Sequence, residues 1–307
     1  MGPERTAISY GPSITAASRS VLLEVMTVLR AYQDALILIG GWAPYYLLEF
    51  HREPGDGFVH VGSIDIDLVV DADKIGGPQY ATIVELLTAR GYRPAPDRRG
   101  QPIPSSFERT VAAPTTDKPY TIRVDFLAPL ASGEPPRLPH EMRGGQARAG
   151  AAQVQEDLFA RKVRGCEAAL RHHEIIELTG ALPGGGMLTV PVQMADLVSC
   201  LTMKGIVLGE RFREKDAYDI HALAAHHRGG PRAVAEALRP HLGEPLVQEA
   251  MRRIQEAFQT RQGHGPAWVA SFVSHPRFAQ EYQRALTDAY MVMRELSEAL
   301  LTERARA

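Results

Sequence analysis

The segment Ser63-Ile64-Asp65-Ile66-Asp67-Leu68 constrains the fold more than any other. Strand side chains alternate faces, so Ile64, Ile66 and Leu68 point one way and Ser63, Asp65 and Asp67 the other. Two carboxylates on one face of an apolar strand repel each other, which is costly without a cation or donors between them. The chain must therefore build a sheet with one apolar face and one that keeps charge. A hard divalent cation such as Mg²⁺ resolves the repulsion, because it takes a few carboxylates together with phosphate oxygens. Thr121-Ile122-Arg123-Val124-Asp125-Phe126 repeats the alternation and offers a third acid. If these strands are neighbours, Asp65, Asp67 and Asp125 converge on one face. Such a trio suits two ions about 3.5–4 Å apart, with Asp125 placed to accept a proton from an attacking hydroxyl.

Upstream, the apolar run Ala35 to Ile39 reads as a strand, Gly40-Gly41 as a turn, and Trp42 to Phe50 as a helix. Glycine lets a backbone approach an anion, and a helix start offers unpaired N–H groups, so this turn reads as a phosphate cradle. Trp42 and Tyr45 read as core. Ser13 to Gln33 has helical periodicity, with Val21, Leu22, Val25, Met26 and Leu29 on one face. Further helix is expected over Gln79 to Arg90, after Pro78 and before Gly91, and further strands over Ile64–Val70, Phe107–Ala112, Tyr120–Leu127 and Met187–Val190. His51 to Gly62 is a polar excursion, and the Pro/Gly-rich stretch 128–150 is the linker candidate. These readings give an α/β (α+β) chain: a mixed-sheet core over 1–150 with an N-terminal helix, then a mostly helical half over 151–307.

Composition narrows the function classes. At 45% hydrophobic and 23% charged, the 307 residues match a globular protein rather than a disordered or collagen-like one. A net charge of −2 provides no chain-wide cationic field, so nucleic acid would be met by local basic clusters. Three such clusters exist: Arg90, Arg93, Arg98 and Arg99; Arg161, Lys162, Arg164 and Arg171; Arg211, Arg213 and Lys215. Cys166 and Cys200 are too few for a disulfide framework, which suits a reducing cytoplasm. The longest apolar stretch, Ala35 to Leu48, is short for a membrane span and is broken by Gly40, Gly41 and Pro44, and the N-terminus lacks a secretory pattern. A phosphate loop of the GxxxxGK[ST] type and a Ser or Cys nucleophile motif are absent, and His172-His173 and His226-His227 lack zinc-ligand spacing.

Gly40-Gly41-Trp42 followed by Ser63-Ile64-Asp65-Ile66-Asp67 resembles the signature of the DNA polymerase β-like nucleotidyltransferase superfamily, with Asp125 matching its third carboxylate. The Gly41–Asp65 interval is longer than usual, and the excursion His51 to Gly62 accounts for it. Lys204, then Lys215-Asp216 and Asp219, resembles the AbiEii/MenT-like branch of toxin–antitoxin toxins. The resemblance runs over residues 35 to 225. It implies a nucleotidyltransferase core whose helical half closes the nucleotide cleft. It also implies an Mg²⁺-dependent enzyme, with one or two ions on Asp65, Asp67 and Asp125, moving a nucleoside monophosphate from an NTP to an acceptor hydroxyl. Gly40, Gly41, Ser63, Lys204 and Lys215 are implied to bind the nucleotide, and Asp216 to complete the site. RNA, specifically a tRNA 3′ end, is the implied acceptor, and an antitoxin protein the implied partner. An antibiotic-type small-molecule acceptor and a non-catalytic binding fold are the alternatives. Residue by residue, Asp65 and Asp67 also read as solvated strand acids, Asp125 as a partner of Arg123, and Lys215 with Asp219 as a surface i,i+4 pair.

Overall fold

A computed structural model describes residues 6–75, 81–113, 116–130, 151–210 and 214–302. The linker candidate beyond Leu130, the Pro78 helix start, and Arg211 and Arg213 lie outside the described residues. The fold is mixed α/β, and the chain forms two compact units, Pro12–Trp42 with Ser63–Ala195, and Met1–Gly11 with Ala43–Gly62 and Asp196–Ala307.

The first unit is built on a 9-stranded mixed sheet. Its strands are β1 (Leu36–Ile39), β2 (Ile66–Val70), β3 (Arg93–Pro96), β4 (Pro102–Ala113), β5 (Thr116–Pro129), β6 (Ala151–Gln153), β7 (Phe159–Val163), β8 (His173–Ala181) and β9 (Met187–Ala195). The order is β3-β4-β5-β2-β1-β9-β8, and β7 joins β5 to β6. Strands β1 and β2 are antiparallel, whereas β2 runs parallel to β5, and β1 to β9. Ile66, Leu68, Val124 and Phe126 are fully buried, as the alternation requires. Helix α1 (Pro12–Val28) supplies part of the same core. Its face of Val21, Leu22, Val25 and Met26 is buried, and it packs on β4, β5, β8 and β9.

That apolar helix face also carries an acid. Glu24 accepts hydrogen bonds from Tyr92 Oη at 2.8 Å and from the Arg109 guanidinium, which lies over the Tyr92 ring. The trio ties α1 to the sheet and gives both buried polar side chains partners. Burial and the nearby Glu24 carboxylate hold the Tyr92 phenol far above its ordinary pKa.

Several elements differ from their sequence reading. Strand β2 begins at Ile66, because Ile64 and Asp65 form a bend. Helix α2 (Trp42–His51) follows Gly40-Gly41 as expected. Helix α3 is shorter, Ile83–Thr88, because a capping box at Thr82 and Glu85 sets its start. Gly91, at φ +82°, ends it: Gly91 N–H bonds to Thr88 O and Tyr92 N–H to Leu87 O, the Schellman pattern. The mostly helical stretch begins at Asp196 rather than at 151, since β6 to β9 and the short α4 (Cys166–Arg171) come first. Strand β8 escaped the pattern reading because it is a sheet edge. Only Ile176 and Leu178 of its nine residues are buried, too few to mark a period of two.

The second unit is helical: α5 (Leu197–Glu210), α6 (Glu214–His226), α7 (Pro231–Leu238), α8 (Pro245–Phe258), α9 (His264–Val273) and α10 (Ala279–Thr302). Helix α5 packs on α6 and α8, α6 on α9, and α10 on α7 and α9. Gly205 sets the α5–α8 spacing, because a Cβ there would meet Ala250 O at 2.8 Å. Among the described residues no helix is long and apolar enough to cross a membrane.

Replacing Glu24 with Ala leaves the mostly buried Arg109 charge without its partner. The expected loss is about 3 kcal/mol, read as a lower urea midpoint for the sheet unit. Glu24→Gln, which keeps an acceptor for Tyr92, should lose less, and an unchanged midpoint in both would remove this trio from the stabilising contacts.

Candidate functional site

In the sheet unit, the register places Asp67 of β2 directly beside Asp125 of β5. Ser106 of β4 stands opposite Asp125 on its other side and donates a hydrogen bond to Asp125 Oδ1. Asp67 is also the register partner of Ile39, the last residue of β1, so the carboxylate lies where the chain turns through Gly40. Gly40 has φ +70°, and a Cβ on it would collide with the Asp67 side chain. Only glycine fits there: the turn needs left-handed backbone, and the Asp67 carboxylate occupies the space a side chain would take.

Burial is the largest influence on the Asp125 carboxyl and pushes its pKa up. The Ser106 hydrogen bond and the positive charges of Arg161 and Arg123 oppose that rise, and the Asp65 carboxylate adds to it. Asp65 is thus close enough to Asp125 for their charges to repel. Ser63 is buried, and its hydroxyl donates to the Asp65 carbonyl at 2.9 Å, holding the bend before β2. The sheet unit therefore gathers Gly40, Gly41, Ser63, Asp65, Asp67 and Asp125. The partner of Asp125 in hydrogen bonding is Ser106, not Arg123. Ser106 carries no motif of its own, and pairing of β4 with β5 brings it to the acid from 19 residues away.

Lys204, Lys215 and Asp216 belong to the helical unit, where they form a buried network. Lys204 Nζ donates to Asp216 Oδ1 at 3.0 Å and lies 2.6 Å from Asp219 Oδ2. Lys215 pairs with Asp219 one turn along α6 and lies over the rings of Tyr10 and Tyr218, 5.4 Å from each centroid. His60 Nδ1 accepts from Gly62 N–H at 3.1 Å, so the ring proton is on Nε2, which donates to Asp219 Oδ1 at 2.9 Å. Asp219, with no exposed surface, holds three donors at once. The expected surface pair of Lys215 and Asp219 is instead interior.

The electrostatics follow from that interior position. Burial alone would raise the Asp219 pKa, but Lys204, Lys215 and His60 hold its carboxyl far below the usual range. Burial also opposes the Lys204 charge, and Asp219 and Asp216 more than offset it. The Lys215 ammonium is depressed by burial and by Lys204, against the pull of Asp219. Burial, then the Lys215 charge, lowers His60 to about 4.

The excursion 51–62 is tethered along α6 by alternate residues. Asp56 Oδ2 pairs with His226 at 2.7 Å, Phe58 stacks on the His226 ring at 3.9 Å, and His60 reaches Asp219. Val61 N–H reaches Tyr218 Oη at 3.3 Å. The sequence reading paired Asp219 with Lys215 but placed the pair at the surface, and it did not include Tyr218 or His60. His60 carries no local signal, because its partner lies 159 residues away.

No protein-family model matches this chain, and no curated protein does. Among solved structures the chain is similar to JHP933 from Helicobacter pylori, with 11% identity over 95% of each chain and a TM-score of 0.40. A likeness at that level carries no argument about fold or function.

The helical unit should be acid-sensitive. His60 is neutral when folded, with its pKa at about 4, whereas an unfolded histidine titrates near 6.5. The unfolded chain therefore binds a proton that the folded one refuses between those values. Stability is complete above pH 6.5 and falls as pH drops towards 4, by about 3 kcal/mol from this residue. Urea midpoints at about pH 7, 5.5 and 4.5 should fall less steeply for His60→Gln than for wild type. Parallel falls would assign the acid sensitivity to other groups, of which His227, also lowered to about 4 by burial, is the first.

Proposed function

We propose that this protein is an Mg²⁺-dependent nucleotidyltransferase that moves a nucleoside monophosphate from an NTP to an acceptor hydroxyl. The observation that carries the reading is the register of Asp67 beside Asp125, with the Gly40 turn against the Asp67 carboxylate. The donor set suits Mg²⁺: oxygen ligands only, on adjacent strands, with like charges that a cation would relieve. Asp65, Asp67 and Asp125 would hold the metal, which when bound offsets charge on the phosphates and the attacking oxygen.

The chain's own residues account for the rest. The Gly40-Gly41 backbone receives the phosphates at the end of β1. Ser106, bonded to one oxygen of Asp125, orients that carboxylate so that the other accepts the proton of the acceptor hydroxyl. The acceptor oxygen bonds to the α-phosphorus as the bond to the bridging oxygen breaks, and pyrophosphate leaves. Lys204 and Lys215 are engaged by Asp216 and Asp219, so we read them first as the frame of the helical unit. Contact with a triphosphate requires those pairs to open. The resemblance of the motif set to the AbiEii/MenT-like toxins favours a tRNA 3′ end as acceptor and growth arrest restrained by an antitoxin as the outcome.

The test is label transfer. Wild-type protein, Mg²⁺ and each α-labelled NTP are incubated with total bacterial RNA, beside Asp67→Asn and Asp125→Asn. Label in a tRNA-sized band with wild type, reduced at least a thousandfold in both variants, is the expected result. Transfer retained by Asp67→Asn would sink the metal assignment. Label passing to an aminoglycoside but never to RNA would replace the acceptor.

A further inference from the structure

The acids on the sheet face share it with two arginines that the proposed chemistry has not used. Arg123 lies two residues before Asp125 on β5, so its side chain leaves the same face. Leu127, two residues after Asp125, is in register with Arg161 of the parallel strand β7, which puts Arg161 on that face as well. The charges of both reach Asp125. Both side chains are half-buried rather than solvated.

Neither arginine has a local anion to itself. Glu108 is the register partner of Arg123 on β4, yet its carboxylate is taken from the other side by Arg93, through Nε at 3.2 Å and Nη2 at 3.0 Å. Among the described residues no carboxylate lies within ion-pair distance of Arg123 or Arg161. A half-buried guanidinium with its fork unfilled is costly, and its planar array of donors fits one kind of ligand best: the oxygens of a phosphate.

We propose that Arg123 and Arg161 form a phosphate-binding pair flanking Asp125. The proposal rests on reading this face as a nucleotidyl-transfer site, and it names two substrate-positioning residues there. The phosphate belongs either to the triphosphate of the NTP or to the backbone of an RNA acceptor, and binding measurements separate the two.

Two probes are used on the full chain. One is a fluorescent NTP analogue with Mg²⁺ and no RNA. The other is a fluorescein-labelled RNA of about 20 nucleotides in EDTA, titrated from roughly 50 to 300 mM KCl. Wild type is compared with Arg123→Gln, Arg161→Gln, the double variant, and Arg252→Gln, which alters an exposed pair on α8. Each single variant on the sheet should weaken one probe about tenfold, since a charge-assisted bond of this kind contributes roughly that much. If the RNA is affected, the slope of log K against log salt should also shrink by about 0.7 for each phosphate that the variant no longer neutralises.

Weakening in the NTP arm alone assigns the pair to the triphosphate, and weakening in the RNA arm assigns it to the acceptor. Binding of both probes within twofold of wild type in the double variant overturns the proposal, as does wild-type protein that binds neither. If a Gln variant fails to fold, Arg123→Lys and Arg161→Lys keep the charge but lose the fork. These should bind a few-fold more weakly, and wild-type affinity in both would again overturn it. Arginine-dependent binding without label transfer to any acceptor would sink the transfer reading and leave this pair standing. Label transfer that proceeds unchanged, with unchanged binding, in the double variant would do the reverse.

Discussion

Two carboxylates side by side on adjacent strands, Asp67 and Asp125, set the terms for the sheet unit. Like charges directly opposite in a sheet destabilise it. The surroundings are arranged to bear them: a serine hydroxyl on one Asp125 oxygen, arginine charges on both sides, and a glycine where any side chain would collide with Asp67. Around these acids the alternating positions Ile66, Leu68, Val124 and Phe126 are apolar and buried. Alternation alone thus divides this part of the two strands, with those four side chains given to packing and Asp67 and Asp125 to the other side.

The helical unit meets buried charge differently. Lys204 and Lys215 face Asp216 and Asp219, two cations against two anions, with a neutral His60 supplying a further donor. The group balances its own charge and binds α5, α6 and the segment before Gly62 together. Networks of this kind gain from completeness: when every member has partners they fix one arrangement, and removing one leaves an uncompensated charge. The pair at Lys215 and Asp219 shows how far context alters an interaction, since an i,i+4 pair in water contributes only a few tenths of a kcal/mol.

Much of this is legible in the sequence because it depends on local periods. The alternation over Ile66–Val70 and Val124–Phe126 locates two strands and assigns their faces, and Gly40-Gly41 marks the turn. The neighbour relation of β2 and β5 is the conditional step, and the register supplies it. What stays hidden depends on long-range pairing. Strand β8 is half-exposed and shows too few apolar positions to announce its period. Ser106, Arg161 and His60 look ordinary in sequence; each gains meaning from a neighbour delivered by another element. Lys204 and Lys215 are visible as basic residues on helices, but the packing that buries them against Asp216 and Asp219 is not, so the local pattern reads Lys215 with Asp219 as a surface pair.

Charge balance distinguishes the two polar clusters. The helical network matches its cations and anions internally, which is the property of a structural element. On the sheet, Asp67 stands directly beside Asp125, and neither Arg123 nor Arg161 closes on an acid among the described residues. Such an arrangement is poor for stability, since apolar residues at the same positions would pack without repulsion. A face that gathers acids at its centre and holds guanidinium groups apart from them is complementary to something bearing both signs. A divalent cation accompanied by phosphate meets both requirements together, the cation against the acids and the phosphate oxygens against the guanidinium forks.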